Sequence, residues 1–170
     1  MQQKMILAMD LDGCIGKDDG LPWRLRADML RFKRSSVGEG NNAVWMGRTT
    51  WESLPEAYRP LENRLNIVVT RNQEYTVEGV NITSSIEKGL ALAEENESEI
   101  CWIIGGANVY EQCRELVDEI HVTMVETNDS GEIRVGLFTE DYWEKEVVET
   151  VPSDDNNEHE TTYMILRRRS

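Results

Sequence analysis

The sequence predicts a single α/β domain: a central, mostly parallel eight-stranded mixed sheet with an antiparallel C-terminal edge hairpin and about four flanking helices. Three observations predict it. Apolar runs of strand length alternate with helical segments from Met5 to about Val125, which implies right-handed crossovers between parallel strands. The runs Leu65 to Thr70 (LNIVVT) and Ile100 to Ile104 (ICWII) are apolar almost throughout, as strands buried on both faces are. Finally, Trp143 to Val151 and Thr161 to Leu166 are separated only by the polar turn Pro152 to Glu160, as in a terminal hairpin.

In chain order, Met5 to Met9 (MILAM) is the first strand, and the loop Asp10 to Pro22 follows, punctuated by Gly13, Gly16, Gly20 and Pro22. Loops of about 12 residues or more inside a compact domain tend to carry function, often as lids. A helix begins near Leu25 and gives way to the Gly- and Asn-rich turn Gly38 to Asn42. The strand Ala43 to Met46 stops at Gly47, and a helix from about Arg48 to Leu54 succeeds it. After Leu65 to Thr70 comes a short strand, Val80 to Thr83. Ser84 and Glu87 then form a capping-box pattern for a helix over Ile86 to Glu95, whose Ile86, Leu90 and Ala93 make an apolar stripe. Gly105-Gly106 breaks the strand Ile100 to Ile104, a helix runs from Ala107 to about Leu116, and Ile120 to Val125 is the last strand before the hairpin.

Composition bounds the function. A chain of 170 residues that is 39% hydrophobic buries one good core, so residues 1–170 read as one domain. A net charge of -14 disfavours nucleic acid or an anionic membrane surface as a partner, and much of the acid lies in solvated runs such as Glu94 to Glu99. There is no signal-like N-terminal stretch and no membrane-length apolar run, so a soluble, cytoplasmic monomer is expected. Cys14, Cys101 and Cys113 lack zinc or redox spacing and read as free thiols; His121 and His159 have no nearby ligand-type neighbours, so no metal is expected.

Ligands of open α/β sheets sit at the carboxyl ends of strands, where helices begin. Two junctions are equipped for phosphate. In Met46-Gly47-Arg48-Thr49-Thr50 a glycine permits close backbone approach, a helix start offers free NH groups, and Arg48 and Thr50 add donors. In Ile104-Gly105-Gly106-Ala107-Asn108 two glycines separate a buried strand from a helix. Either alone is more often a tight turn; together they imply a ligand with two anionic groups, one of which Arg71 could clamp. There is no GxGxxG fingerprint, and two separated cradles are another way to hold a dinucleotide. In Leu21 to Arg34 (LPWRLRADMLRFKR), Asp28 shares a helix face with Phe32. That carboxylate is either a first-turn acid complementing the helix dipole or an acceptor for a cationic or NH-rich ligand.

The order of blocks settles the choice. Ile15-Gly16, Leu21-Pro22-Trp23, Asp28 with Phe32-Lys33 after it, MGRTTWESL, Arg59-Pro60-Leu61 with Arg64, IIGGANVYEQ and a strand with His121-Val122-Thr123 together resemble dihydrofolate reductase. The resemblance runs from about Ile6 to Arg169. It implies that Asp28 binds the pterin N3 and 2-amino group, that Thr123 supports it through water, and that Ile6, Ala8, Phe32, Leu54 and Ile104 wall the pterin pocket. Leu21 and Trp23 match the lid and its water-binding tryptophan. Arg64 matches the arginine that pairs with the α-carboxylate of the folate glutamate, with Leu61 and Phe32 flanking the aminobenzoyl ring.

For the cofactor, NADPH, the resemblance assigns phosphate contacts to Arg48, Thr49 and Thr50, and the adenosine 2'-phosphate to Thr70 and Arg71. A cis Gly105-Gly106 peptide and Tyr110, beside the nicotinamide, complete the arrangement, with Ala8, Ile15, Gly47, Ala107, Asn108 and Val109 also in the cofactor set. The adenosine-binding part spans roughly 43–99. The implied activity is hydride transfer to C6 of 7,8-dihydrofolate with protonation at N5, giving tetrahydrofolate for one-carbon and thymidylate synthesis.

Three departures stand out: the longer turn Gly38 to Asn42, Asn63 where a glycine is common, and Gly131 to Phe138 (GEIRVGLF) in the loop that normally braces the lid. Two alternatives share the scaffold. A pyrimidine reductase of riboflavin synthesis would not need Asp28, Phe32 and Arg64 together, and a non-catalytic module would not need an intact pocket.

Overall fold

In the computed structural model, which describes residues 1–16, 21–128 and 130–169, eight strands assemble into one sheet in the order Asn81–Thr83, Leu65–Val69, Ala43–Gly47, Ile100–Gly105, Gln2–Asp10, Glu119–Val125, Thr161–Arg168, Trp143–Val151. Six of them are parallel: β1 (Gln2–Asp10), β3 (Ala43–Gly47), β4 (Leu65–Val69), β5 (Asn81–Thr83), β6 (Ile100–Gly105) and β7 (Glu119–Val125). The terminal strands β9 (Trp143–Val151) and β10 (Thr161–Arg168) run antiparallel as a hairpin at one edge. The predicted eight-stranded mixed sheet is therefore present. What sequence periodicity missed is a second, two-stranded sheet of β2 (Cys14–Gly16) and β8 (Ile133–Arg134), elements of three and two residues, too short to leave a period. A 3-10 turn at Glu56–Tyr58 also escaped it.

The period of two along each strand divides the core between the sheet's faces. On one face Met5, Leu7, Trp45, Ile67, Ile103 and Ile120 pack under α3 (Ile86–Glu95) and α4 (Ala107–Cys113). On the other, Val44, Met46, Val68 and Trp102 pack with Ile6, Phe32, Leu54, Leu61 and Ile104 around α1 (Arg26–Val37) and α2 (Arg48–Ser53). Gly89 lets α3 approach β3, since a Cβ there would lie 2.9 Å from the Trp45 indole nitrogen.

Two helix ends differ from expectation. The cap of α3 is Ser85, whose hydroxyl accepts from the Lys88 amide, so the Ser84/Glu87 box is not formed. Lys88 occupies the position that a box needs as Glu or Gln. Helix α4 stops at Cys113, three residues short of the predicted Leu116. At the start of α1, Leu25 offers no side-chain cap. The free amides are met instead from the β9–β10 turn: Arg26 N donates to Asn156 O at 3.1 Å and Ala27 N to Asn157 Oδ1 at 3.0 Å. The turn read only as polar thus caps the helix that carries Asp28.

Among the described residues no helix is long and apolar enough to cross a membrane. The three cysteines are free and buried, and burial pushes the thiols of Cys101 and Cys113 up to about 12.

Candidate active site

The strand order places the carboxyl ends of β3, β6, β1 and β7 side by side, so residues far apart in sequence converge on one edge. Met46 pairs with Gly105 and Ala8 with Thr123. The site accordingly has two halves, a glycine-lined cradle over β3 and β6 and a pocket over β1 and β7.

In the cradle, the two glycine junctions adjoin rather than stand apart. A Cβ at Gly106 would lie 3.1 Å from Thr50 Oγ1, one at Gly105 3.4 Å from the same atom, and one at Gly47 3.3 Å from Val109 Cγ2. The separation inferred from sequence is therefore corrected: the helix start after β3 and the one after β6 form a single concave surface. The Gly105-Gly106 peptide is cis and Gly105 has φ +129°, a conformation that side chains disfavour. Tyr110, buried in α4, donates its hydroxyl to the Ile6 carbonyl at 2.8 Å, so it ties the cradle to β1. Thr49 and Asn108 are exposed, while Ile15, Ala107 and Val109 pack half-buried against the neighbouring core.

The basic residues of the cradle are not all free. Arg48 donates through Nε to Glu52 Oε1 at 2.7 Å and stacks 4.1 Å from the Tyr75 ring, so its guanidinium is already paired with a carboxylate one turn away. Thr70 borders an open groove of about 420 Å³ that also contains Tyr75, Thr83, Ser84 and Lys88, and Arg71 beside it is exposed. Lys88 in this groove was not anticipated; its place follows from α3 starting immediately after β5.

In the pocket, Asp28 Oδ1 accepts the Thr123 hydroxyl at 2.5 Å. The resemblance implies a water between the two; in the structure the hydroxyl and the carboxylate are in direct contact. Burial raises the Asp28 carboxyl above the usual range, while the Thr123 hydroxyl and the Arg31 guanidinium, 3.1 Å away, pull it back down. Phe32, Ile6, Ile104, Leu54 and Leu61 meet in one apolar cluster, as expected of a wall for a flat ring. Ala8 packs with Trp23, Leu25 and Val125 beside it.

Arg64 sits at the far end of the wall. Its guanidinium lies 6.0 Å from the Phe32 ring and donates to Ser36 Oγ and the Glu62 carbonyl, both at 2.9 Å. Asn66 holds this turn, binding the backbone of Leu61 on both sides and the carbonyl of Arg64. Asn63 there has φ +61°, which asparagine tolerates better than most residues, so the substitution for glycine keeps the turn.

Leu21 is 64% exposed, and Gly20 with the rest of 17–20 lies outside the described residues. Trp23 is buried, and its indole NH donates to Ser130 Oγ at 2.9 Å rather than standing free for water. Asp10 organises the same region, accepting from the amides of Asp12, Cys14 and Ser130. The divergent segment after Gly131 pairs with Cys14–Gly16 through β2–β8 and the bond from Val135 N to Gly13 O. Backbone pairing is indifferent to most side chains, so it tolerates the unusual residues of this segment. Missed entirely were Ser130, Asp10 and Arg31; only Arg31 left a signal, its i+3 spacing from Asp28.

A half-buried carboxylate backed by a hydroxyl, an aromatic wall ending in an arginine, and an adjoining glycine cradle with cationic margins together suit a flat NH-bearing heterocycle next to a dinucleotide. This is the arrangement of an oxidoreductase that brings a heterocyclic substrate against a nucleotide cofactor. The family model for dihydrofolate reductase matches residues 2–168. The chain is 33% identical over 164 residues to the type 3 dihydrofolate reductase of Salmonella typhimurium, covering 96% of each, and 40% identical over 123 residues to dihydrofolate reductase from Mycobacterium leprae, covering 72% of each. Its fold superimposes with a TM-score of 0.84, at 33% identity, on dihydrofolate reductase from Enterococcus faecalis complexed with NADP(H) and RAB-propyl, covering 99% of this chain and 97% of that one. The chain belongs to the dihydrofolate reductase family.

Proposed function

We propose that Asp28, backed by Thr123, anchors the pterin of 7,8-dihydrofolate while the Gly47 and Gly105-Gly106 cradle holds NADPH against it. The activity is that of the family: NADPH-dependent reduction of 7,8-dihydrofolate to 5,6,7,8-tetrahydrofolate. The observation that carries the residue assignment is the half-buried Asp28 carboxylate, hydrogen-bonded to Thr123 on the strand next to β1 and facing an apolar aromatic wall. NADPH, when bound, supplies the hydride for C6.

The protein's own residues bind, orient and exclude water. Asp28 accepts from N3–H and the 2-amino group, which fixes the ring and favours the cationic form produced by protonation at N5. Phe32, Leu54 and Ile104 keep that ion pair in a medium of low polarity, where it is stronger than in water. Asp28 does not itself reach N5 in this assignment; a water admitted beside Leu21 delivers that proton. Arg64 receives the α-carboxylate of the glutamate tail, with Leu61 and Phe32 along the aminobenzoyl ring. Thr49, Thr50 and Arg48 hold the pyrophosphate, Thr70 and Arg71 the 2'-phosphate, and residues 43–99 the adenosine. A net charge of -14 disfavours nucleic acid as a partner, and the reading is completed by a cytoplasmic monomer.

The direct test is oxidation of NADPH that depends on added dihydrofolate and stops with an antifolate; a well-folded preparation that leaves NADPH untouched refutes the assignment. Cofactor choice has its own test. A charge-assisted hydrogen bond is worth about 1.5–3 kcal/mol, so Arg71→Ala weakens NADPH by about 10- to 150-fold and barely alters NADH. Equal weakening of both in a titration of intrinsic fluorescence would remove Arg71 from the 2'-phosphate site.

A further inference from the structure

Arg31 is the most deeply buried cation near the pocket, 5% exposed in the middle of α1. Charged side chains are rarely buried unless paired, and this one has three partners from three elements. Nη1 donates to Asp28 Oδ1 at 3.1 Å on its own helix, Nη2 donates to Glu149 Oε2 at 2.9 Å on β9, and the guanidinium carbon lies 4.3 Å from the Tyr163 ring on β10. Asp28 receives both its hydrogen bonds, from Arg31 and from Thr123, on Oδ1; among the described residues none falls on Oδ2. The carboxylate keeps 24% exposure, so it is held from one side and open on another.

We infer that Arg31 is a positioning residue for the substrate-anchoring carboxylate: clamped by Glu149 and Tyr163, its guanidinium favours the carboxylate form of Asp28 and fixes one oxygen so that the other is presented to the ligand. The inference rests on Asp28 being the pterin anchor, and it adds the device that makes a buried carboxylate usable. Burial alone favours the protonated acid, which would turn one acceptor into a donor and repel N3–H. A guanidinium at hydrogen-bond distance opposes that, and because arginine stays charged at any working pH its effect does not titrate away.

The other groups around this pair supply little competing charge. Asp28 faces Thr123 from β7, and the phenols of Tyr110 on α4 and Tyr163 on β10 are kept neutral, their ionisation opposed first by burial. Behind Tyr163 lies His121, whose Nδ1 is 2.5 Å from the Tyr163 hydroxyl and whose imidazole burial pushes down to about 4. Beyond it, Glu119 is balanced by Lys4 at 2.8 Å and Arg167 at 3.5 Å. Among the described residues Glu149 is the one acid bound to Arg31 besides Asp28, and its side chain is 55% exposed, so water screens it more than it screens Asp28.

The experiment follows the Asp28 carboxyl carbon by NMR through a pH titration of the ligand-free protein, in the parent and in Arg31→Leu, Arg31→Lys and Glu149→Gln. Arg31→Leu is expected to raise the Asp28 midpoint by about one pH unit or more, Arg31→Lys to recover part of that shift, and Glu149→Gln to leave Asp28 ionised at least as readily as in the parent while loosening the arginine. Dihydrofolate affinity should then fall in Arg31→Leu most steeply at low pH, with the variant-to-parent ratio recovering as pH rises above the new midpoint; a merely structural role would lower it equally at every pH. An unmoved midpoint in folded Arg31→Leu overturns the inference, as does an unmoved midpoint in the neutral but polar Arg31→Gln, made should the leucine variant fail to fold. Failure of the pterin assignment reads differently: the midpoint moves but dihydrofolate binding does not follow it.

Discussion

Asp28→Asn is expected to lose about 100-fold or more in turnover with dihydrofolate at neutral pH while folding normally. The amide offers one neutral acceptor where the carboxylate offers charged ones, and two charge-assisted hydrogen bonds at about 1.5–3 kcal/mol each are weakened together. Stability should move the other way. Burial raises the Asp28 carboxyl above its unfolded value. The folded protein therefore binds the proton more tightly than the unfolded one, and stability is lost as pH rises through the folded midpoint. Asparagine carries no such titration. Ligand-free Asp28→Asn should melt no lower than the parent at pH 7.5, although Arg31 is then left with Glu149 and Tyr163, and the parent's loss of stability as pH rises from the ordinary carboxylate range through the folded Asp28 midpoint should be absent in the variant. Near-normal turnover would remove Asp28 from the site, and a melting temperature many degrees lower would show that its pairing with Arg31 is chiefly structural.

Gly105→Ala is expected to damage both stability and cofactor binding. At φ +129° an L side chain is strained by about 1–3 kcal/mol, which for a domain of this size corresponds to roughly 2–12 °C in melting temperature. The added methyl would lie 3.3 Å from the Tyr110 hydroxyl and 3.4 Å from Thr50 Oγ1, intruding where the two glycine junctions meet. NADPH affinity should fall at least tenfold, an order of magnitude that a displaced cradle contact of about 1.4 kcal/mol produces. Alanine at Gly40, with open space around it and a φ of +95°, provides the control: strain without loss of NADPH binding. Equal cofactor affinities in Gly105→Ala and the parent would mean that the cradle lies elsewhere.

The legibility of this protein differed by distance in sequence. Strands such as Leu65–Val69 and Trp143–Val151 were found nearly to the residue, the first because a continuous apolar run marks a strand buried on both faces, the second, exposed along most of its length, because a polar turn separates it from Thr161 to Leu166. The two-residue strand Ile133–Arg134 left none, and its pairing with Cys14–Gly16 is a contact between segments more than a hundred residues apart. Ser84 was a plausible cap by composition, yet Ser85 took the role, since a cap is chosen by where the helix first turns rather than by residue type alone.

The site shows the same division. Asp28, Phe32, Arg64, Thr123 and both glycine junctions could be singled out as candidates because they stand in the order and spacing of the family. Their relations were not. That Thr123 touches Asp28 directly, that Trp23 bonds to Ser130, and that Arg48 is already paired with Glu52 all depend on distances set by packing.

By itself, the sequence determined the alternation of strands and helices, the chemistry available at each strand end, and the family to which that order of blocks belongs. Only the tertiary structure decided which of those groups meet. It joined two glycine turns into one cradle, capped the helix carrying Asp28 with a loop 130 residues away, and set Arg31 against an acid, a second acid and an aromatic ring from three elements. The physical reason is that periodicity reports only how a segment is buried. The protonation state of a buried carboxylate depends on every charge and hydrogen bond within a few ångströms, most of them contributed by distant parts of the chain.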